Sequence, residues 1–162
     1  LERSSIFNFE EMREHYLELY GYNEWANDLF AEALGSVDYQ HERIDVFFSH
    51  TAAAQLIWLN RVTDSDQAIP GVWEKLSFDQ TQEQMAVGNI GWLDFINECD
   101  DFDQDIHYKD TKGNDYSTPL KDILTHVANH STHHRGQIAL LLREENIAPP
   151  ASDYIFYSRR NN

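Results

Sequence analysis

Apolar positions recur at helical spacing in four long segments of this chain, and alternate with polar ones in only one short stretch. From about Phe9 to Leu34, residues Tyr22, Trp25, Leu29 and Ala33 follow the i, i+3, i+4 rule of a buried stripe. Gly35-Ser36 ends that segment. A second helix is predicted from about Glu42 to Val62, where Phe47, Ala54, Ile57 and Trp58 share one broad face with His50. Pro70-Gly71 marks the loop that follows. A third helix begins at Ser77 or Asp79, either of which suits an N-cap, and runs to about Phe102. Gly88 and Gly91 cost it roughly 1 kcal/mol each relative to Ala, which close helix packing would justify.

The alternating stretch comes next. Ile106 and Tyr108 are separated by polar residues, Lys112-Gly113-Asn114 is turn chemistry, and Tyr116 follows, which predicts a short hairpin. A fourth helix starts at Ser117 or Thr118, with Pro119 in its first turn, and runs to about Glu145. Pro149-Pro150 prevent its continuation. The tail DYIFYSRR reads as an extended segment lying on the helices. Together these elements predict an all-α fold: an up-down-type four-helix bundle with a short β-hairpin between helices 3 and 4. Residues 1–162 read as one domain. The short loop between the first two helices predicts that they are antiparallel neighbours.

The fourth helix also carries the candidate chemistry. Four of the chain's eight histidines fall between His126 and His134. His130 and His134 lie one turn apart, on the same face as Ile123, Val127, Ile138 and Leu141, so both point inward. His126 and His133 fall on the flank, as a subunit contact or as donors to a ligand. Two buried imidazoles at this spacing, with Cβ atoms about 6 Å apart, can chelate a divalent metal. His50, mid-helix on the apolar stripe of the second helix, is the best third ligand. Three histidines and a water would make an open site of catalytic type. The competing reading is a cluster of core histidines hydrogen-bonded to polar neighbours. His15, His41 and His107 read as surface or packing residues. Gln137 lies near the metal line and could orient a ligand, while Trp25 and Trp58 could wall a substrate pocket or simply fill the core. Arg135 is expected to face outward and pair with an acid, and Gly136 to let another backbone approach.

Composition narrows the partners. The net charge of −16 disfavours nucleic acid and anionic membrane surfaces. Cys99 is the only cysteine, so no intrachain disulfide can form; its acidic surroundings disfavour a thiolate, and a cytoplasmic location fits. No apolar run approaches the roughly 18 residues of a membrane span. The N-terminal LERSSIFNFEEM lacks the basic-then-apolar pattern of a secretory signal, and its lack of an initial Met reads as an appended or trimmed start. No G-x-S-x-G elbow supports serine-nucleophile hydrolysis. The paired Glu-x-x-His motifs of di-iron bundles are absent.

Three stretches resemble the DinB family of four-helix metalloproteins: YNEWANDLFAEAL (Tyr22–Leu34), FSHTAAAQLIWLNRV (Phe48–Val62) and LTHVANHSTHHRGQIALLLRE (Leu124–Glu144). The resemblance spans roughly Phe9 to Tyr157, and its third motif is the most specific. It implies one divalent metal held by His50, His130 and His134, a homodimer and a bacterial source. Imidazole ligands suit zinc or nickel, and also iron or copper. Some relatives transfer low-molecular-weight thiols such as bacillithiol, mycothiol or glutathione. The chain has no room for the C-terminal domain of the mycothiol-dependent maleylpyruvate isomerase branch, which argues against that activity. The leading expectation is a metal-dependent thiol S-transferase acting on a small-molecule electrophile. A metal-dependent hydrolase is the second, although no Glu-type general base stands beside the histidines. A non-enzymatic bundle that binds metal or a small molecule is the third.

Overall fold

Helix α1 (Phe9–Ser36) begins at a reciprocal capping box: the Glu11 N–H donates to the Asn8 side chain at 2.9 Å, and the Asn8 N–H donates to the Glu11 carboxylate at 3.0 Å. The computed structural model describes residues 8–161, so most of the stretch read for a secretory signal lies outside the described residues. Helix α2 (Glu42–Thr63) ends where Asp64 turns left-handed at φ 51°. Helix α3 (Phe78–Glu98) opens on a second capping box, between Ser77 and Gln80. Strands β1 (Asp105–Lys109) and β2 (Asp115–Pro119) form an antiparallel hairpin with Tyr108 opposite Tyr116, closed through Gly113 at φ 87°. Helix α4 (Leu120–Glu144) follows directly, and a short helix α5 (Tyr154–Ser158) leads into a final 3-10 turn.

The all-α bundle and the hairpin between α3 and α4 are as expected. Several boundaries differ. Helix α3 stops at Glu98, and Phe102 instead plugs the core at 1% exposure. Ser117 and Thr118 do not start α4; they pair with His107 and Ile106 in the hairpin, and Pro119 is the N-cap. The tail is helical rather than extended. Its Tyr157 hydroxyl sits over Gly21, where a Cβ would approach to 2.6 Å, so the α1 backbone itself is the seat of α5.

The short loop does join antiparallel helices, but α1 and α2 are not neighbours. Each packs on both α3 and α4, so α1 and α2 face each other across a diagonal. Tyr16 reaches the Lys121 carbonyl and Tyr20 the Leu124 carbonyl, so α1 and α4 run the same way. Phe48 meets Phe78, Gln55 meets Trp92, and Leu59 meets Gly91, so α2 and α3 also run together. The chain from residue 64 to 77 must therefore climb the length of the bundle between the end of α2 and the start of α3. Gly88 and Gly91 face Gln55, Leu56 and Leu59, and a Cβ at Gly91 would collide with Leu59. The expected close packing at these glycines is present.

Two apolar clusters fill the ends of the bundle. One gathers Tyr16, Tyr20, Trp92, Phe102 and Ile123 beside the hairpin; the other gathers Phe30, Phe48, Met85, Ile138 and Leu142. Asn23, Asn27, Gln55 and Arg135 are also buried, and they join α1, α2 and α4 by polar contacts. These residues rotate α1 away from its expected stripe. Its buried face runs Tyr16, Tyr20, Asn23, Asn27, Phe30 and Leu34, whereas Trp25, Leu29 and Ala33 are half-buried on the flank. Arg135 overturns its expectation as well: it points inward and bonds Asn27 at 2.7 Å and Asn23 at 2.8 Å, with no acid paired to it among the described residues. Two inward asparagines look like surface in a hydropathy pattern, but they supply the acceptors that allow a guanidinium to be buried.

Candidate metal centre

Helices α2 and α4 run antiparallel, and that direction places His50, near the middle of one, against the middle of the other. His50 and His134 are buried, at 4% and 6% exposure, and His130 is half-buried. The Nε2 atom of His130 stands 3.3 Å from that of His50 and 3.2 Å from that of His134. The three rings offer ligand atoms that all lie within 4.8 Å of one another. Nitrogens about 2.0–2.1 Å from one tetrahedral ion lie roughly 3.3 Å apart, so the spacing fits a divalent metal.

The outer ring nitrogens fix the tautomers. The His50 Nδ1–H donates to the Val72 carbonyl at 2.6 Å, and the His134 Nδ1–H donates to Gln137 Oε1 at 2.7 Å. Both rings therefore turn an Nε2 lone pair toward His130. A single N–H on His130 can point at only one of those lone pairs, so a hydrogen-bond cluster leaves the other facing a nitrogen. One cation would satisfy all three. Burial first, and then the neighbouring imidazoles, push His130 down to about 3. Burial, followed by His50, takes His134 down to about 4. Burial lowers His50 too, against the opposing pull of the Val72 bond. All three are neutral at pH 7, the form that ligates metal.

Depressed histidines make the metal-free fold acid-sensitive. Below their ordinary value of 6.5, the unfolded chain takes up protons that the folded cluster refuses. The stability contribution is therefore intact above about pH 7 and is lost as the pH falls toward 4. Chelator-treated protein should show a falling urea midpoint across that window, by circular dichroism; a flat midpoint would mean that the cluster opens without cost.

The crossover segment contributes two groups that sequence patterns did not single out. Val72 gives its carbonyl to His50, and Trp73 lies flat on the His50 ring, with centroids 3.8 Å apart and planes 7° apart. Trp73 also meets His134 edge-on, yet remains 57% exposed. A Trp two residues after the Pro70-Gly71 turn is the available signal. A backbone carbonyl leaves none.

The other candidates spread out. Gln137 is bonded to His134. Trp58 lines a narrow crevice with His130, Gln55 and Ser131, and meets Tyr108 and His126 edge-on. Trp25 lies away from the trio, against Tyr22 and Tyr157 of the tail, with Arg160 over its ring. His126 and His133 are exposed on the flank, each with its ring near one member of the trio. His15 and His107 are exposed, and His41 is the N-cap residue of α2. Cys99 is buried, and burial raises its thiol, which fits a structural role. Gly136 meets no other backbone; a Cβ there would enter open space.

A helical bundle with three convergent neutral imidazoles defines a class of proteins able to hold one metal ion between two helices. Within that class, the chain matches the DinB family over residues 12–161 and belongs to it. It is similar to Protein DinB of Bacillus subtilis (strain 168), with 23% identity over 163 residues covering 90% of this chain and 95% of that protein. The resemblance drawn from the three sequence stretches is thereby borne out.

Gln137 is the sharpest test of how the trio is supported. Gln137→Leu keeps the volume but removes the acceptor that holds His134 in its tautomer. Metal affinity should fall about 10- to 100-fold, measured by competition with a chromophoric chelator. An unchanged affinity would assign Gln137 to packing alone.

Proposed function

We propose that this protein is a divalent-metal-dependent S-transferase that joins a low-molecular-weight thiol to a small electrophile. The observation that supports it most is the convergence of three Nε2 lone pairs beneath an exposed aromatic wall. His50, His130 and His134 would hold the ion, with zinc or nickel favoured by the all-imidazole donor set and iron or copper as further candidates. A bound divalent ion would supply the electrostatic drop in pKa that gives a thiol its nucleophilic form at neutral pH.

The chain's own residues divide the remaining work. Val72 and Gln137 keep the ligand rings oriented. Trp73 offers an exposed flat face beside His50 on which an apolar electrophile can lie. His133, exposed and close to His134, is placed to exchange the thiol proton with water. In the transfer, sulfur forms a bond to the electrophilic carbon, the leaving group departs with its electron pair, and the thiol proton passes to solvent. Trp58 borders the site from the core side, while Trp25 has no part in it. A homodimer is expected to use exposed apolar side chains such as Leu140 and Ile155, and sedimentation would measure it. Among the described residues no helix is long and apolar enough to cross a membrane.

The test is turnover of an activated aryl chloride by metal-loaded, untagged protein with glutathione, mycothiol and bacillithiol in turn. Chloride release that needs both thiol and metal supports the proposal. Turnover of esters or amides without thiol would replace it with a hydrolase. Stoichiometric metal with no turnover on any thiol would leave a binding module.

A further inference from the structure

On the face of α4 turned away from His50, a cavity of about 420 Å³ lies between α1, α4 and the segment 149–153. Tyr22, Thr132, Arg135, Gly136, Arg143 and Asp153 are among its lining residues. Arg135 is 3% exposed, and its polar partners are all uncharged: Asn23, Asn27, Thr132 and, at 3.5 Å, the Tyr22 hydroxyl. No ion pair involves it among the described residues. Its Nε–H, buried, has no acceptor. A cation removed from water and given only neutral partners is under-compensated. Arg143, which donates to the Ala139 carbonyl, adds a second cation at the same cavity. Asp153 offsets part of that charge but pairs with neither arginine. Apolar Phe30, Ala139 and Pro149 also border the space.

We infer that this cavity is a binding site for a small organic oxyanion, a carboxylate or phosphate monoester with a short apolar body, separate from the histidine trio. The oxyanion would meet the guanidinium groups of Arg135 and Arg143 at the cavity wall. Its apolar part would lie on Phe30, Ala139 and Pro149. The overall charge of −16 repels polyanions, but at the Debye length of physiological salt it does not decide the fate of one small anion held by two adjacent guanidiniums. Gly136 acquires a reason here, since any side chain in its place would project into open space beside Arg135.

Isothermal titration calorimetry on chelator-treated, untagged protein tests the site, because removing metal prevents an oxyanion from binding at the trio. The probes are acetate, benzoate, inorganic phosphate and phenyl phosphate at constant ionic strength set with sodium chloride. Saturable one-to-one binding is expected, tighter for benzoate or phenyl phosphate than for acetate or inorganic phosphate. Preference between those two distinguishes an acid from a phosphate ester as the natural ligand. Arg143→Gln should weaken it about tenfold. Gly136→Leu should fold at least as well, since it replaces glycine within a helix, and should fill the cavity and abolish binding. His130→Ala should leave binding unchanged. Heats that match chloride dilution in all four titrations, or binding that survives both Arg143→Gln and Gly136→Leu, would overturn the inference.

Discussion

His130→Ala should empty the metal centre: about one equivalent of metal in the untagged wild type, and close to none in the variant. The reason is geometric. His130 is the ring whose Nε2 lies within 3.3 Å of both partners. Removing it leaves two imidazoles on separate helices, each held by an outer bond and without the chelate that spans one turn of α4. Elemental analysis of the variant beside His50→Ala measures the effect, and circular dichroism checks that the helices persist. The variant should also lose part of the acid sensitivity described above, because its most depressed histidine is gone. Retention of a full equivalent of metal in His130→Ala would place the ion elsewhere and would remove the basis for the proposed transferase.

Trp92→Ala should destabilise the fold by about 3–5 kcal/mol, a large share of what a domain of this size possesses. Trp92 is completely buried, packs against Tyr20 and Phe95, and donates its indole N–H to the Gln55 carbonyl at 3.1 Å. It thus joins α3 to both α1 and α2, and it does so beside Gln55 and Asn23 of the polar interior. Truncation leaves a large cavity that the two glycines of α3 cannot close, because α2 already rests on them. Urea unfolding monitored at the helical band reads the change; Trp92→Phe should cost less, since it keeps most of the volume while losing the N–H and part of the ring. A shift below about 1 kcal/mol for Trp92→Ala would mean that the helices readily collapse into the space.

Legibility in the sequence varied with the kind of residue. The metal candidates were accessible because i, i+4 spacing on one helix is a local property, and because His50 sits within a clear apolar stripe. The α1 face is hidden in the sequence because the polarity of Asn23 and Asn27 makes them resemble solvent-facing residues, although they are among the most buried of the described residues. Arg135 is hidden for the same reason seen from the other side: an isolated arginine reads as surface unless its acceptors on another helix are known. Trp25, apolar and well spaced, was drawn inward by the pattern and belongs under the tail.

The sequence by itself determined four amphipathic helices, a hairpin between the last two, and the ring nitrogens able to meet between α2 and α4. Periodicity, turn residues and histidine spacing act over a few residues, so they can be read without knowing what lies opposite. Only the tertiary structure decided that α1 and α2 face across a diagonal, that residues 64–77 climb past His50 to lay Trp73 on its ring, and that an uncompensated guanidinium borders a cavity behind the helix of His130 and His134. Those features depend on which surfaces meet across long separations in the chain, and a polar side chain or backbone carbonyl carries no local mark of the partner it will find.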